Sequence, residues 1–402
     1  MQTRLANPIR DTPQGREADS ILRSCVHCGF CNATCPTYQL LGDELDGPRG
    51  RIYLIKQMLE GNAVTPHTLL HLDRCLTCRN CETTCPSGVR YSRLLDIGRQ
   101  TAEARIARPR YEQVVRWLVR KIVPYPVRFR PLLRLGQWLR PALPPVLKRR
   151  IPPLQKAAVW PQPRHARRVL LLEGCVQPAL APAINATTAR VLDKFGITAL
   201  RASGEVCCGA ASHHTSGADE ALDFARRNVD SWWPYVENGI EAIVSTASGC
   251  GVHVKDYGHL LRDDPAYAEK AQRIAALTRD LSEVVAREDL VKLRSGIQPG
   301  MKIAFQSPCT LQHGQKLSGV VEQLLRDLGF VLVPVTEAHL CCGSAGTYSI
   351  LQPDLSARLR ARKLQALQAN RPEKIVTANI GCLTHLQGGS DLPVQHWVEL
   401  LG

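Results

Sequence analysis

The chain has 402 residues, longer than one hydrophobic core normally serves, so its length predicts two or three domains. Only 5% of the residues are aromatic and no run of eighteen apolar residues occurs, which excludes a membrane-spanning helix. The net charge of +15 is concentrated in residues 105–168, where seventeen Lys and Arg residues stand against one acid, so a nucleic-acid-binding protein is not predicted.

The first predicted domain, residues 1–104, carries two copies of the pattern C-x2-C-x2-C-x3-C-P. In two-cluster ferredoxins, three thiolates of each such run bind one [4Fe-4S] cluster and the fourth binds the other. The predicted ligands are Cys25, Cys28, Cys31 and Cys85 for one cluster, and Cys75, Cys78, Cys81 and Cys35 for its partner. This part of the sequence indicates a protein that transfers electrons.

Zinc and disulfide bonds are the alternative uses of these cysteines. Structural zinc sites usually take paired C-x2-C units and have little use for a third cysteine two residues further on. The chain opens without a signal peptide and is far longer than disulfide-dense miniproteins. Iron–sulfur clusters in a reduced, cytoplasmic setting are therefore expected.

The segments around the two cysteine runs are predicted to be helical. About forty residues separate the runs, too many for the compact β-hairpin ferredoxin. One helix is expected to open at Asp19 or Ser20, and another to cover residues 51–59, whose apolar side chains fall on one face. A turn is expected at residues 47–51, where Arg49 and Arg51 bring positive charge near the clusters.

Residues 105–166 are predicted to form a basic, proline-rich connector. Its cations alternate with apolar residues, which predicts short amphipathic helices broken at Pro124, Pro126 and Pro131. Three roles stay open for it: docking on a partner subunit, contact with an anionic membrane surface, and a plain linker packed on its neighbours.

The remaining cysteines form a second repeat, at an offset of 134 residues for the first three positions of each copy. Each copy has a single cysteine, a C-C-G motif and a C-x2-H motif. Its members are Cys175, Cys207, Cys208, Cys250 and His253, and then Cys309, Cys341, Cys342, Cys382 and His385.

Strands and helices alternate around these cysteines. Strands are predicted at residues 169–172, 240–246, 302–305 and 374–377, and helices at residues 218–236 and 353–369. The expected fold is α+β multidomain: a helical ferredoxin-like domain followed by two α/β domains with mostly parallel sheets, at residues 167–296 and 297–402. Because ligands of such sheets gather beyond the carboxyl ends of strands, the repeated cysteines are expected to converge there.

The chemistry of this second half stays open at the sequence level. The ten repeated residues are candidate ligands of one or two further iron–sulfur clusters, because clustered thiolates favour iron–sulfur centres or zinc. Buried free thiols without metal are the alternative. His253 and His385 are candidate ligands, proton carriers or core residues.

The stretches CVHCGFCNATCPTY at residues 25–38 and GDELDGPRGRIY at residues 42–53 resemble the iron–sulfur subunits of bacterial glycolate oxidase. The C-C-G half is similar to those subunits and also to lactate-utilisation proteins, anaerobic glycerol-3-phosphate dehydrogenase and heterodisulfide reductase. The chain departs from heterodisulfide reductases by ending each repeat in C-x2-H instead of C-x2-C. This departure argues against their noncubane clusters and against disulfide chemistry.

The resemblance implies an oxidoreductase complex in which flavin-containing partner subunits oxidise glycolate to glyoxylate and this chain receives electrons from their FAD. No dinucleotide fingerprint follows a strand here, so no flavin site is expected in this chain. The implied acceptor is a quinone or another membrane carrier, with the chain peripheral on the inner face of the cytoplasmic membrane.

Other functions remain as alternatives. The chain is also compatible with an iron–sulfur subunit of a lactate or glycerol-3-phosphate dehydrogenase. Another hypothesis is a quinone or disulfide reductase acting at its own C-C-G site, with His253 or His385 as proton donor. A third is a C-C-G half that only docks partners.

Overall fold

The computed structural model describes residues 1–144, 148, 151–155 and 159–402. The parts of the predicted connector at residues 145–147, 149–150 and 156–158 lie outside the described residues. The predicted fold class is confirmed: a helical N-terminal part precedes two four-stranded parallel sheets. The division into domains at the predicted boundaries stays a prediction.

Seven α-helices build the N-terminal part. They are α1 (Pro13–Ser24), α2 (Phe30–Ala33), α3 (Pro36–Leu41), α4 (Pro48–Leu59), α5 (Pro66–Asp73), α6 (Asn80–Thr84) and α7 (Tyr91–Arg105). Short 3₁₀ helices lie at Ile9–Asp11 and Glu44–Asp46. Each cysteine run begins in the loop before α2 or α6, continues through that short helix and ends at the residue or two after it, so the cysteines are held between helices.

Two sequence predictions about these helices need correction. Helix α1 begins at Pro13, before the predicted Asp19 or Ser20, because the side chain of Thr12 accepts a hydrogen bond from Gly15 N at 2.9 Å and caps the helix. The helix predicted over residues 51–59 is confirmed but begins at Pro48, so most of the predicted turn at residues 47–51 is helical.

The connector contains two helices, α8 (Arg110–Ile122) and α9 (Pro126–Leu139), followed by a 3₁₀ turn at Arg140–Ala142. The chain bends around Pro124 and Pro126 as predicted, but Pro131 lies inside α9. The predicted break there is wrong: proline's fixed φ is compatible with helix, and the exposed helix loses only one backbone hydrogen bond. No helix in the described ranges is long and apolar enough to cross a membrane.

Two parallel sheets form the second half. The strands are β1 (Arg167–Leu171), β2 (Ile197–Leu200), β3 (Ala242–Ser245), β4 (Thr278–Asp280), β5 (Lys302–Gln306), β6 (Val331–Leu332), β7 (Lys374–Thr377) and β8 (Val394–His396). Their orders are β2-β1-β3-β4 and β6-β5-β7-β8, so the duplication seen in the sequence is also a duplication of topology. The four predicted strands correspond to β1, β3, β5 and β7, within two residues at each end.

Helices cover and connect these strands. In the first copy they are Gln177–Leu180, Ala183–Lys194, Ala210–His213, Ala218–Glu237, Ser248–Lys255, Tyr257–Leu260, Ala268–Leu277 and Leu281–Val285. In the second copy they are Val320–Asp327, Tyr348–Leu351, Pro353–Gln368 and Ile380–Gln387, with a π-helix at Thr310–Gly314. The 3₁₀ helices Leu290–Gly296 and Trp397–Leu400 complete the set described.

The two sheets share one hydrophobic core. Val169 and Val244 of the first sheet and Ile303 and Val376 of the second belong to the same cluster of buried side chains. The buried His396 side chain also contacts the Thr246 carbonyl oxygen at 2.9 Å. This shared core fixes the relative position of the two cysteine repeats.

Candidate functional site

The first cysteine run curls around a cavity beside α2 and α4. The cavity is lined by four thiols of one predicted ligand set, namely Cys25, Cys28, Cys31 and Cys85, and also touches Cys81. Backbone φ is positive at His27 (60°) and Gly29 (85°), which turns the loop tightly enough to bring its three cysteines to one point. Cys28 is exposed, so this cavity lies at the surface.

The second run repeats this geometry more deeply in the protein. Its cavity is lined by the other predicted set, Cys35, Cys75, Cys78 and Cys81. The same two loop positions again have positive φ, here at Thr77 (53°) and Arg79 (59°). Each cavity thus receives the fourth cysteine of the opposite run, as the predicted ligand sets require; the ligand assignments themselves stay predictions.

The thiols of both cavities lie in surroundings that favour a bound metal centre. Burial and neighbouring thiols raise the pKa of Cys31 to about 11 and raise the pKa of Cys78 and Cys81 well above the usual value. A set of four such thiolates needs bound cations to remain charged, and iron ions supply them. The donor set therefore fits the [4Fe-4S] clusters predicted from the sequence.

A buried ionic network lies beneath the second cavity. Asp46, which is fully buried, contacts Arg51 at 3.4 Å, His71 at 3.0 Å and Arg74 at 2.8 Å. Burial opposes the charge of Arg51, but neighbours including Cys75 outweigh this effect and raise its pKa. Arg51 is therefore a permanent cation beside the second thiol set, which offsets the negative charge of thiolates there.

The first cavity has its own cation. Arg49 lines this cavity and approaches Gly29, and its Nε donates to Glu44 at 2.6 Å. The sequence predicted both Arg49 and Arg51 as cations near the clusters, but it did not indicate that Arg51 is buried. One arginine thus accompanies each cysteine run.

The first C-C-G copy brings its four cysteines together at the carboxyl ends of β1, β2 and β3. The Sγ atoms of Cys175 and Cys207 are 3.5 Å apart. Interactions with the thiols of Cys207 and Cys250 lower the pKa of Cys208. The C-x2-H histidine, His253, is buried next to this group, and its Nε2 has no hydrogen-bond partner.

The second copy repeats the arrangement beyond β5, β6 and β7. The Sγ atoms of Cys309 and Cys341 are 3.8 Å apart. The pKa of the Cys342 thiol is raised, and the thiols of Cys341 and Cys382 both interact with it. His385 lies on the helix Ile380–Gln387, where its Nε2 is 3.2 Å from Ser356 Oγ. Both sets of repeated cysteines therefore converge as the strand pattern predicted, while their roles as metal ligands stay predictions.

The second cysteine run packs directly on the second C-C-G site. Cys78 belongs to one buried apolar cluster with Cys309 and Cys341. Around it, Asn80 Nδ2 donates to the His339 carbonyl oxygen at 3.3 Å, and the Tyr348 hydroxyl donates to the Arg74 carbonyl oxygen at 3.1 Å. Sequence spacing gives no sign of this contact between segments more than 200 residues apart.

The C-C-G glycines are required by backbone conformation and close packing. Gly343 has φ +90°, and a Cβ on it would lie 2.7 Å from the Ser356 carbonyl oxygen. Gly209 has φ +91°, and its Cβ would lie 3.0 Å from the Ala221 oxygen. Both glycines thus pack their loop against a longer helix further along the chain, Ala218–Glu237 in the first copy and Pro353–Gln368 in the second.

Replacing Gly343 by alanine is expected to destabilise the protein by at least about 2 kcal/mol, because left-handed backbone strain adds to an overpacked contact. Gly346→Ala is the matched control, since Gly346 also has positive φ but open space around it, and strain alone costs about 1 kcal/mol. Thermal denaturation of the cluster-containing protein measures the difference. Equal melting temperatures for the two variants would contradict this account of the motif.

Sequence reasoning missed one group of polar residues, Asp96, His213 and His214. Asp96 lies on α7, and the two histidines follow the first C-C-G motif by four and five positions. The sequence did offer one signal for this group. The first copy has two adjacent histidines at positions where the second copy has Thr347 and Tyr348.

Two thiol-lined cavities in a helical domain, joined to a duplicated cysteine-bearing α/β half, define an iron–sulfur electron-transfer protein. Comparison with protein families matches residues 21–89 to a 4Fe-4S dicluster domain, and residues 169–255 and 303–387 to a cysteine-rich domain.

Two related proteins show to which family of iron–sulfur proteins the chain belongs. The chain is 56% identical over 402 residues to the glycolate oxidase iron-sulfur subunit of Escherichia coli, covering 100% of this chain and 98% of the relative. It is 29% identical to the probable glycolate oxidase iron-sulfur subunit of Bacillus subtilis, over 95% and 92% of the two chains. The chain belongs to the glycolate oxidase iron-sulfur subunit family, as the resemblance in the sequence indicated, and its predicted iron–sulfur cofactors are confirmed at that level.

Two further similarities are more distant. The lactate utilization protein A of Bacillus licheniformis is 26% identical over 58% of this chain and 98% of its own length. A hypothetical protein from Helicobacter pylori has a solved structure with a TM-score of 0.56, at 8% identity, covering 96% of this chain and 71% of that chain. The second similarity supports the fold alone.

Proposed function

We propose that this chain receives electrons from the reduced FAD of partner subunits that oxidise glycolate to glyoxylate, and delivers them to a quinone at the membrane. The observation that carries this proposal is the arrangement of the thiol sites: the first is at the surface, the second is buried, and the second packs on the C-C-G half through Cys78, Cys309 and Cys341. Iron–sulfur clusters bound at such sites supply one-electron carriers.

The surface around the first cysteine run is the proposed docking site of the flavin-containing partner. Val26 and Phe30 are 68% and 62% exposed there, and Tyr53 is also exposed. Exposed apolar side chains beside a charged residue such as Arg49 are typical of a protein interface. A partner seated on this surface would lie directly over Cys28, the most accessible of the proposed ligands.

The proposed ligands are the predicted ones. Cys25, Cys28, Cys31 and Cys85 hold the outer cluster, and Cys75, Cys78, Cys81 and Cys35 hold the inner one. In the second half, the close Sγ pairs favour a metal centre over simple docking, and the proposed ligands are Cys175, Cys207, Cys208 and Cys250 in one copy and Cys309, Cys341, Cys342 and Cys382 in the other. Arg51 stabilises the charge of the inner set through its position beside Cys75.

Helices α8 and α9 are the proposed membrane contact. On the inner side of α8, Arg116 binds the half-buried Asp73 at 2.8 Å and Lys121 binds Glu220, which anchors this helix to the rest of the protein. On the outer side, α8 and α9 expose Tyr111, Val114, Trp117, Leu118, Val127, Leu132, Leu135, Trp138 and Leu139 together with Arg110 and Arg128. Exposed tryptophans interleaved with arginines suit an anionic membrane surface.

A cavity of about 360 Å³ between α9 and the first C-C-G copy is the proposed quinone site. It is lined by Leu133 and Arg134 from α9 and by Pro178 and Asn185 from the segment after β1. Half of the lining residues are apolar and suit a quinone ring, and the other half are polar or charged and offer hydrogen bonds to its carbonyl oxygens. The cavity also adjoins the exposed helices proposed to touch the membrane.

The double variant Trp117→Ser/Trp138→Ser is expected to bind vesicles containing anionic lipid at least about tenfold more weakly, because two large interfacial side chains are lost. Vesicle co-sedimentation at low and high salt measures this binding, which we expect to weaken with salt. Val291→Ser removes another exposed apolar side chain, far along the chain, and is the matched control. Unchanged binding in the double variant, or equal binding to neutral vesicles, would exclude the membrane role of these helices.

The substrate is tested by purifying the chain anaerobically together with its flavin-containing partners. Glycolate is expected to bleach the flavin, and added quinone is expected to restore its colour. Bleaching by lactate or glycerol 3-phosphate but not by glycolate would favour the alternative dehydrogenase complexes. Failure of quinone to reoxidise the complex would exclude the proposed acceptor.

A further inference from the structure

Three side chains meet where the helical domain touches the first C-C-G copy. Asp96 Oδ2 is 3.3 Å from His213 Nε2, and Asp96 Oδ1 is 3.3 Å from His214 Nδ1. One ligand atom from each residue lies within 4.8 Å of those of the other two. None of the three belongs to the cysteine sets assigned to iron–sulfur clusters.

The distances are those of ligands around one metal ion. Zinc binds imidazole nitrogen and carboxylate oxygen at about 2.0–2.2 Å in a tetrahedron, which places neighbouring ligand atoms about 3.3 Å apart. Each oxygen of the Asp96 carboxylate lies at that distance from the nitrogen of one histidine. The ring centroids of His213 and His214 are 5.4 Å apart, close to the separation of about 5 Å that two zinc-bound imidazoles adopt.

A neighbouring histidine supplies an independent observation. His253 is 95% buried, since only 5% of its surface is exposed, and its Nε2 has no hydrogen-bond partner. Its ring centroid lies 5.5 Å from that of His213 and 6.1 Å from that of His214. A buried nitrogen without a partner is costly, and a water bound to a metal ion at this place would provide a hydrogen bond to it.

The charges around the group permit a cation. The positive charge of Arg79 acts on His213, but Arg79 is bound to Asp256 at 2.7 Å. The charge of Asp256 also acts to raise the pKa of His213 and of His253, so a second carboxylate lies near the histidines. The site therefore combines two imidazoles and a carboxylate, and the nearby positive charge of Arg79 is balanced by Asp256.

The feature distinguishes the two C-C-G copies. The positions of His213 and His214 are occupied by Thr347 and Tyr348 in the second copy. There the Tyr348 hydroxyl donates to the Arg74 carbonyl oxygen, so the same part of each loop contacts the helical domain by different means. The first copy therefore has two side chains that are able to bind a metal ion, whereas the second copy has a tyrosine that makes an ordinary hydrogen bond.

We propose that Asp96, His213 and His214 bind one zinc-type divalent ion, with water completing the coordination next to His253. The ion joins helix α7 to the end of the short helix Ala210–His213, which follows the first C-C-G motif. It is a structural metal ion that holds the helical domain against the C-C-G half. Histidine nitrogen and carboxylate oxygen, with no sulfur, separate this site chemically from the thiol sites.

The test uses the cluster-containing protein, prepared anaerobically, exposed to a zinc salt and then freed of loosely bound metal by gel filtration. The expected result is about one zinc per chain in addition to iron, with a zinc X-ray absorption spectrum showing nitrogen and oxygen ligands and no sulfur near 2.3 Å. The variant His213→Gln/His214→Gln is expected to weaken zinc binding at least about tenfold while its iron content stays unchanged.

His165→Ala is the matched control, because His165 also pairs with a carboxylate, Asp193, but at 2.9 Å and without a second histidine. It is expected to retain zinc as the unmodified protein does. Absence of retained zinc in the unmodified protein, or zinc bound by sulfur, would overturn the proposal. Equal zinc retention in the double histidine variant would overturn it as well, and the spectrum of the unmodified protein decides the matter if that variant fails to fold.

Discussion

Replacing Cys25 or Cys75 by serine is expected to abolish electron delivery to quinone in the assembled complex, while glycolate still bleaches the flavin of the partner subunits. Each substitution removes one of four proposed thiolate ligands from a different cavity. Removing a residue that only hydrogen-bonds to a metal ligand typically lowers metal affinity or activity about 10–100-fold. Loss of a direct ligand is therefore expected to lower the rate of quinone reduction by at least about 100-fold.

The two variants also separate the roles of the two cavities. Flavin bleaching is measured by absorbance under anaerobic conditions, and quinone reduction is measured in the same preparation. Ser24→Ala, at the residue before Cys25, is the matched control because its hydroxyl donates to the Ile21 carbonyl oxygen within the same helix. Normal quinone reduction in either cysteine variant would show that the corresponding site is not part of the electron path.

The second large effect is expected from Asp46→Ala. The Asp46 carboxylate is fully buried and contacts Arg51, His71 and Arg74. Removing it leaves the buried guanidinium of Arg51 without its carboxylate partner, and breaking a buried ion pair in this way costs about 3–5 kcal/mol. We expect a much lower midpoint of thermal denaturation and easier loss of iron, since Arg51 also lies beside Cys75.

An exposed ion pair gives the comparison for this prediction. Asp223 binds Arg226 at 2.9 Å, but its side chain is 70% exposed, so Asp223→Ala is expected to cost about 1 kcal/mol or less. Denaturation midpoints and iron contents of both variants are measured side by side. The account of the buried network is wrong if Asp46→Ala melts within error of Asp223→Ala.

The sequence indicates the local features of this protein well. The cysteine runs specify tight loops, and the positive φ values recur at the same loop positions, His27 and Thr77. The strand β7 is found at the predicted residues, because a short run of β-branched and apolar residues before a cysteine leaves little alternative. Pattern and local backbone preference are sufficient for such elements.

Features that depend on distant contacts are not visible in the pattern. The sequence indicates a cation at Arg51 but not its burial, whose cost is offset by contacts with the Asp46 carboxylate and the His71 carbonyl oxygen. The start of α1 was missed because its signal is the cap at Thr12 and not an apolar period.

The parts of the candidate site that join separate segments were also unpredictable. The packing of Cys78 on Cys309 is set by tertiary contacts between segments far apart in the chain. The meeting of Asp96 with His213 and His214 has the same origin, since one residue comes from α7 and two come from the C-C-G loop. Only the doubled histidine was available in the sequence as a signal.

Low-temperature electron paramagnetic resonance of the anaerobic complex tests the central claim most directly. The complex is frozen after glycolate is added without quinone and, in a parallel sample, after quinone is supplied. We expect signals of reduced [4Fe-4S] clusters to appear with glycolate and to disappear with quinone. Bleached flavin together with fully oxidised clusters in the glycolate sample would contradict the proposal that this chain receives the electrons.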